Sequence, residues 1–145
     1  LFFGTLICLI LLAEILTYEP EPHPLVGIFL EEEKRSQWLV FYPIFLAAIL
    51  GPFCEEIFFR GFCYPIFRKK WGVGWGMVLS SLLFALIHYN DFAFLPIFIL
   101  GMGLAFIYEK RKCLIASITL HVVHNSLFIA YFFTAKQLLF YESGG

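Results

Sequence analysis

The chain has 145 residues, of which 61% are hydrophobic, 20% aromatic and only 14% charged, with a net charge of −1. Soluble domains run nearer half apolar and a quarter charged, so an ordinary water-soluble globule is excluded, and so is a basic footprint for a nucleic-acid partner. The expectation is one all-α domain, a polytopic transmembrane helical bundle of about five spans, because lipid excludes open sheet edges and no alternating barrel pattern appears.

Leu1 to Thr17 is almost continuously apolar and is expected to be a first span, with Glu14 as an interfacial carboxylate. Tyr18 to Pro24 holds three prolines in seven residues and reads as a loop, in which His23 is a solvated histidine. Glu31 to Gln37 is a charge cluster at headgroup level. Trp38 to Phe67 is a long apolar pattern that is expected to bend or restart at Gly51-Pro52, since proline suits a helix start and kinks an interior. Arg68-Lys69-Lys70 closes it, and Trp71-Gly72-Val73-Gly74 is the predicted turn. Trp75 to His88 is the next span, and Tyr89-Asn90-Asp91 a tight polar turn. Phe92 to Tyr108 follows, with Gly101 and Gly103 offering close helix contacts. Glu109 to Lys112 is a charged turn, Cys113 to Phe133 the last span, and Lys136 onward a tail. The expected organisation is therefore an N-terminal span with a polar loop (1–37), a membrane core (38–135) and a tail (136–145). A chain that starts at Leu1 and ends in Glu-Ser-Gly-Gly reads as a fragment. The cysteines Cys8, Cys54, Cys63 and Cys113 lack metal-ligand spacing and read as small core residues.

The informative stretch is Cys54-Glu55-Glu56-Ile57-Phe58-Phe59-Arg60. Ionisable side chains inside a membrane are costly and usually functional. The spans either side of Trp71-Gly72 should form an antiparallel pair, in which positions symmetric about that junction lie level. Glu55 and His88 are such a pair, each roughly 25 Å from the turn at 1.5 Å per residue. His121, His124 and Asn125 lie roughly 14–20 Å beyond the second basic loop. All of these polar groups can therefore meet in one pocket. Glu56 and Arg60 are i, i+4 and can pair, whereas Glu55 points about 100° away from Glu56. His121 and Asn125 are also i, i+4, with His124 near that face as a competitor. The basic runs 68–70 and 110–112 should share one side, the cytoplasmic one by the positive-inside rule. That places the pocket toward the opposite side.

These residues read EEIFFR (55–60), FALIH (84–88) and HVVHN (121–125). The three motifs, in this order, resemble those of the CAAX prenyl protease and bacteriocin-processing family of glutamic-type intramembrane endopeptidases. The resemblance covers roughly residues 40–130. It implies that Glu55 and His88 activate a water that attacks a peptide carbonyl, and that His121 and Asn125 stabilise the oxyanion. Glu56 with Arg60 is read as a supporting ion pair, and His124 as a core histidine. No cofactor is required in this reading, although Glu55 or Glu56, His88 and His121 are also a set that zinc accepts. The implied partners are a membrane-associated peptide or protein substrate and the lipid bilayer. The implied location is the plasma membrane of a bacterium or archaeon. Two other classes remain open: a non-catalytic immunity or scaffold protein that keeps the pocket as a polar core, and a proton-coupled transporter. The second lacks visible inverted repeats.

Overall fold

The computed structural model describes the backbone of residues 37–142 and the side chains of residues 41–134. The expected first span, with Glu14, and the loop that carries His23 lie outside the described residues. Among the described residues every regular element is helical and no strand occurs. The elements are α1 (Gln37–Phe45), α2 (Gly51–Glu56), α3 (Tyr64–Leu86), α4 (Phe94–Arg111) and α5 (Leu114–Glu142). Two widened, π-helical turns, Leu46–Leu50 and Ile57–Cys63, join α1 to α2 and α2 to α3.

The bend expected at Gly51-Pro52 takes the form of the first widened turn. Pro52 has no N–H to donate, and its ring crowds the carbonyl four residues back. The chain accommodates it by passing the Gly51 N–H to the Leu46 carbonyl, five residues back. Helical backbone thus continues from α1 into α2, which begins with the proline in its first turn.

The turn expected at Trp71-Gly72 is a single-residue break. Gly72 has φ 83° and ψ 177°, a conformation that a Cβ makes costly. The two arms of α3 then run back against each other. A Cβ built on Gly76 would lie 2.9 Å from the backbone of Arg68. The rings of Phe59 and Phe84, symmetric about the same junction, meet edge to face at 5.1 Å. Phe59, Cys63 and Phe84 form the buried core, with Phe67, Leu83 and Ile97 against it.

Past α3, Tyr89 takes a left-handed conformation, and the Asn90 side chain accepts the Ala93 N–H at 2.9 Å to open α4. Gly101 provides the close contact expected of it, since a Cβ there would sit 3.0 Å from Ser81. Gly103 does not: nothing lies within 4 Å of its Cβ position, because it faces outward. The basic last turn of α4 suits the negative end of the helix dipole, and Lys112 in left-handed conformation closes it. α5 continues through Lys136 to Glu142, where the sequence reading places a tail.

Among the described residues two helical runs are long and apolar enough to cross a membrane, Phe41–Leu86 and Leu114–Thr134. The first is the hairpin folded at Gly72 and so contains two of the expected spans. α4 occupies the position of another, with Glu109, Lys110 and Arg111 in its last turn. Phe41, Phe53, Phe62, Trp75, Ile115 and Tyr131 all face outward. So large an exposed apolar surface marks a membrane environment.

The basic loops lie together at one end. The Tyr64 hydroxyl donates to Glu109 at 2.7 Å, Arg68 Nε lies 3.2 Å from the same carboxylate, and Lys112 pairs with its other oxygen. Lys112, then Tyr64 and Arg68, hold the Glu109 carboxyl below its ordinary range, against the opposing effect of partial burial.

Candidate active site

Glu56 is fully buried. One carboxylate oxygen accepts Arg60 Nη1 at 2.7 Å and His121 Nδ1 at 3.0 Å, and the other accepts the Ser117 hydroxyl. Arg60, equally buried, donates its second terminal nitrogen to the Gly101 carbonyl at 2.9 Å. Its guanidinium carbon sits 4.9 Å from the centre of the Phe84 ring, a cation–π placement. A buried ion pair is tolerated when its other hydrogen-bonding groups find partners. Here both terminal nitrogens of Arg60 and both oxygens of Glu56 do, while Arg60 Nε has none among the described residues, and these bonds tie α2, the second widened turn, α4 and α5 together.

Glu55 has a different environment. Its side chain keeps 31% of its surface exposed, and its Oε2 lies 3.7 Å from His121 Nε2. The His121 imidazole therefore stands between two carboxylates, Nδ1 toward Glu56 and Nε2 toward Glu55. Asn125, one turn further along α5, donates to the Ala47 carbonyl at 3.0 Å. That carbonyl belongs to the first widened turn.

His88 comes close to the cluster without joining it directly. Its ring lies 4.8 Å from that of Phe84, which also meets the His121 ring at 5.7 Å. His88 Nδ1 lies 2.7 Å from the Phe84 carbonyl. A carbonyl only accepts, so Nδ1 carries the hydrogen, and in the neutral ring Nε2 is left as the acceptor. His124 is part-buried beside the His121 and Asn125 face.

The structure thus brings Glu55, Glu56, Arg60 and His121 into contact, sets His88 across the Phe84 ring, and anchors Asn125 to the α1–α2 junction. Ser117 is the participant that the sequence reading missed. Its signal was available: Ser117, His121 and Asn125 recur every four residues along one helix face. Among the described residues no three His, Cys, Asp or Glu side chains are grouped to hold a metal ion. Glu55 and His121 adjoin, but His88 does not complete a ligand set with them in this arrangement.

The chain resembles several bacterial proteins over part of its length. It is 35% identical over 98 residues to the membrane-embedded CAAX protease MroQ of Staphylococcus aureus (strain USA300), covering 61% of this chain and 38% of that protein. It is 27% identical over 86 residues to YdiL of Bacillus subtilis (strain 168), covering 59% of this chain and 35% of YdiL. It is 31% identical over 88 residues to YaiF of Lactococcus lactis, covering 58% and 38%. The matched region therefore spans little more than a third of each of these relatives. No solved structure matches. The profile of the Type II CAAX prenyl endopeptidase Rce1-like family matches residues 36–127, from the start of α1 to just beyond Asn125. With all three polar motifs inside that match, the chain belongs to the Rce1-like CAAX prenyl endopeptidase family.

Proposed function

We propose that this chain carries the active site of an intramembrane endopeptidase that cleaves membrane-associated peptide or protein substrates near a terminus, in a bacterial or archaeal plasma membrane. One observation carries the assignment of roles: the adjacent carboxylates are unequal. Glu56 has its oxygens filled by Arg60, His121 and Ser117, whereas Glu55 is partly exposed and in loose contact with His121 alone.

In this mechanism Glu55 takes a proton from a water that attacks the scissile carbonyl, and then returns it to the leaving amine. His88 orients that water through its Nε2. The tetrahedral oxyanion accepts hydrogen bonds from His121 and Asn125. Asn125 has a second amide hydrogen beyond the one given to Ala47. His121 gives Nδ1–H to Glu56, so donation through Nε2 requires the doubly protonated ring, with a carboxylate on either side. Glu56 and Arg60 hold α2 in place so that Glu55 faces the substrate.

The test is cleavage of a co-reconstituted membrane peptide, with products read by mass spectrometry. Glu55→Gln is expected to abolish product formation and remain folded. Full activity in that variant overturns the assignment. A second test separates this chemistry from the zinc version. Exhaustive chelation is expected to leave activity intact, and loss that zinc restores would replace Glu55 general-base catalysis by metal chemistry.

A further inference from the structure

At the end of the bundle away from Glu55, a cavity of about 480 Å³ opens between the Gly72 bend and the last turn of α4. Its walls include Arg68, Lys69, Lys112, Glu109, Tyr64 and Tyr108. The mechanism uses none of them. Three cations face one carboxylate, and that carboxylate already engages Lys112, Arg68 Nε and the Tyr64 hydroxyl. The cavity is left with an excess of two positive charges. Gly72 and Val73, where the helix restarts, also line it, so the positive end of that helix adds to the same potential.

Its depth can be read from its neighbours. The Lys70 ammonium stacks on the Trp71 ring at 4.5 Å, and Trp71 is exposed. Tyr108 meets Tyr64 edge to face at 5.7 Å on the cavity wall. Tryptophan, tyrosine and basic side chains gather at the level of lipid headgroups. A volume of this size suits a small ligand, since such sites run about 300–1,000 Å³.

We propose that this cavity binds a phosphate group, presented as the headgroup of an anionic phospholipid in the leaflet beside the basic loops. Arg68, Lys69 and Lys112 meet the phosphate oxygens, and the Tyr64–Glu109 bond holds the two helices at the spacing the headgroup needs. The site is independent of the proteolytic reading: it stands whether or not Glu55 acts as a base.

The experiment reads thermal unfolding and lipid binding of the purified full chain in bilayers. Phosphatidylcholine is titrated with phosphatidylglycerol, and a parallel arm adds inorganic phosphate to phosphatidylcholine alone. Phosphatidylglycerol is expected to raise the melting temperature saturably, at a fixed stoichiometry. Each basic residue near a charged surface contributes about 1 kcal/mol. Apparent affinity should therefore fall about fivefold in Lys69→Gln and roughly thirtyfold in the Arg68→Gln, Lys69→Gln double variant. The Lys70→Gln, Arg111→Gln pair removes the same charge from outside the cavity and should cost markedly less affinity. Equal losses in both pairs, or none in Lys69→Gln, would overturn the site. An equal rise in melting temperature from inorganic phosphate would overturn the lipid as its source.

Discussion

Glu55 and Glu56 are chemically identical neighbours, and burial alone separates their tasks. Removing the charge of Glu56 leaves the buried Arg60 without its ion-pair partner, against the Gly101 carbonyl and two aromatic rings. Breaking a buried pair from one side costs about 3–5 kcal/mol. Glu56→Gln is therefore expected to lower the melting temperature in detergent sharply while keeping some cleavage. Glu55→Gln should melt within about 1 kcal/mol of the parent, because the side chain it replaces is partly exposed and makes only a long contact. Parallel melting and cleavage measurements check this. The reverse pattern, with a stable inactive Glu56→Gln and an unstable active Glu55→Gln, would exchange the two roles.

Among the elements, the short α2 does most to position the site. It lies between two widened turns, and such turns concentrate at functional sites. The first takes up the strain of Pro52 and offers the Ala47 carbonyl to Asn125. The second carries Arg60 back beneath Glu56. The hairpin at Gly72 then returns the chain so that Phe84 covers the Arg60 guanidinium and separates His88 from His121. That return depends on the absence of a side chain at Gly76, whose Cβ would meet the Arg68 backbone rather than a flexible group. Gly76→Ala should consequently spread the arms, costing about 1–3 kcal/mol. Gly74→Ala meets nothing within 4 Å and should gain up to about 1 kcal/mol from helix propensity. Thermal melts of the two alanine variants, side by side, decide whether the hairpin is this closely packed.

At the scale of the whole molecule the charges are segregated by end. The basic runs gather around Glu109, and the Asn90-Asp91 turn lies at the far end of α3. The positive-inside rule predicts that the basic end faces the cytoplasm and the His88 end faces away from it. Relatives that cleave prenylated tails would require substrate on the cytoplasmic side, so orientation bears directly on which substrate this chain takes. Single cysteines at Asp91 and Lys110, with the four native cysteines replaced, report it through an impermeant thiol reagent on intact cells. Labelling at Asp91 alone is the expected result. Labelling at Lys110 alone would reverse the orientation.

By itself the sequence determined the solvent, the helical class and the register of the hairpin. Composition decides the first two, and the register that sets Phe59 opposite Phe84 about Trp71-Gly72 follows from the rise per residue along the two arms. It also determined which residues share a helix face, so that Glu56 pairs with Arg60 as their spacing requires. Only the tertiary structure decided how each helix is rotated against its neighbours. Those rotations made Glu56 the saturated carboxylate, put the Phe84 ring between His88 and His121, and brought Ser117 to the ion pair. They also turned Gly103 outward while Gly101 packs against Ser81. Periodicity along one chain defines faces within a helix. Which face meets which is set by packing between residues distant in sequence, as when Glu56 meets Ser117 and His121 across more than sixty positions.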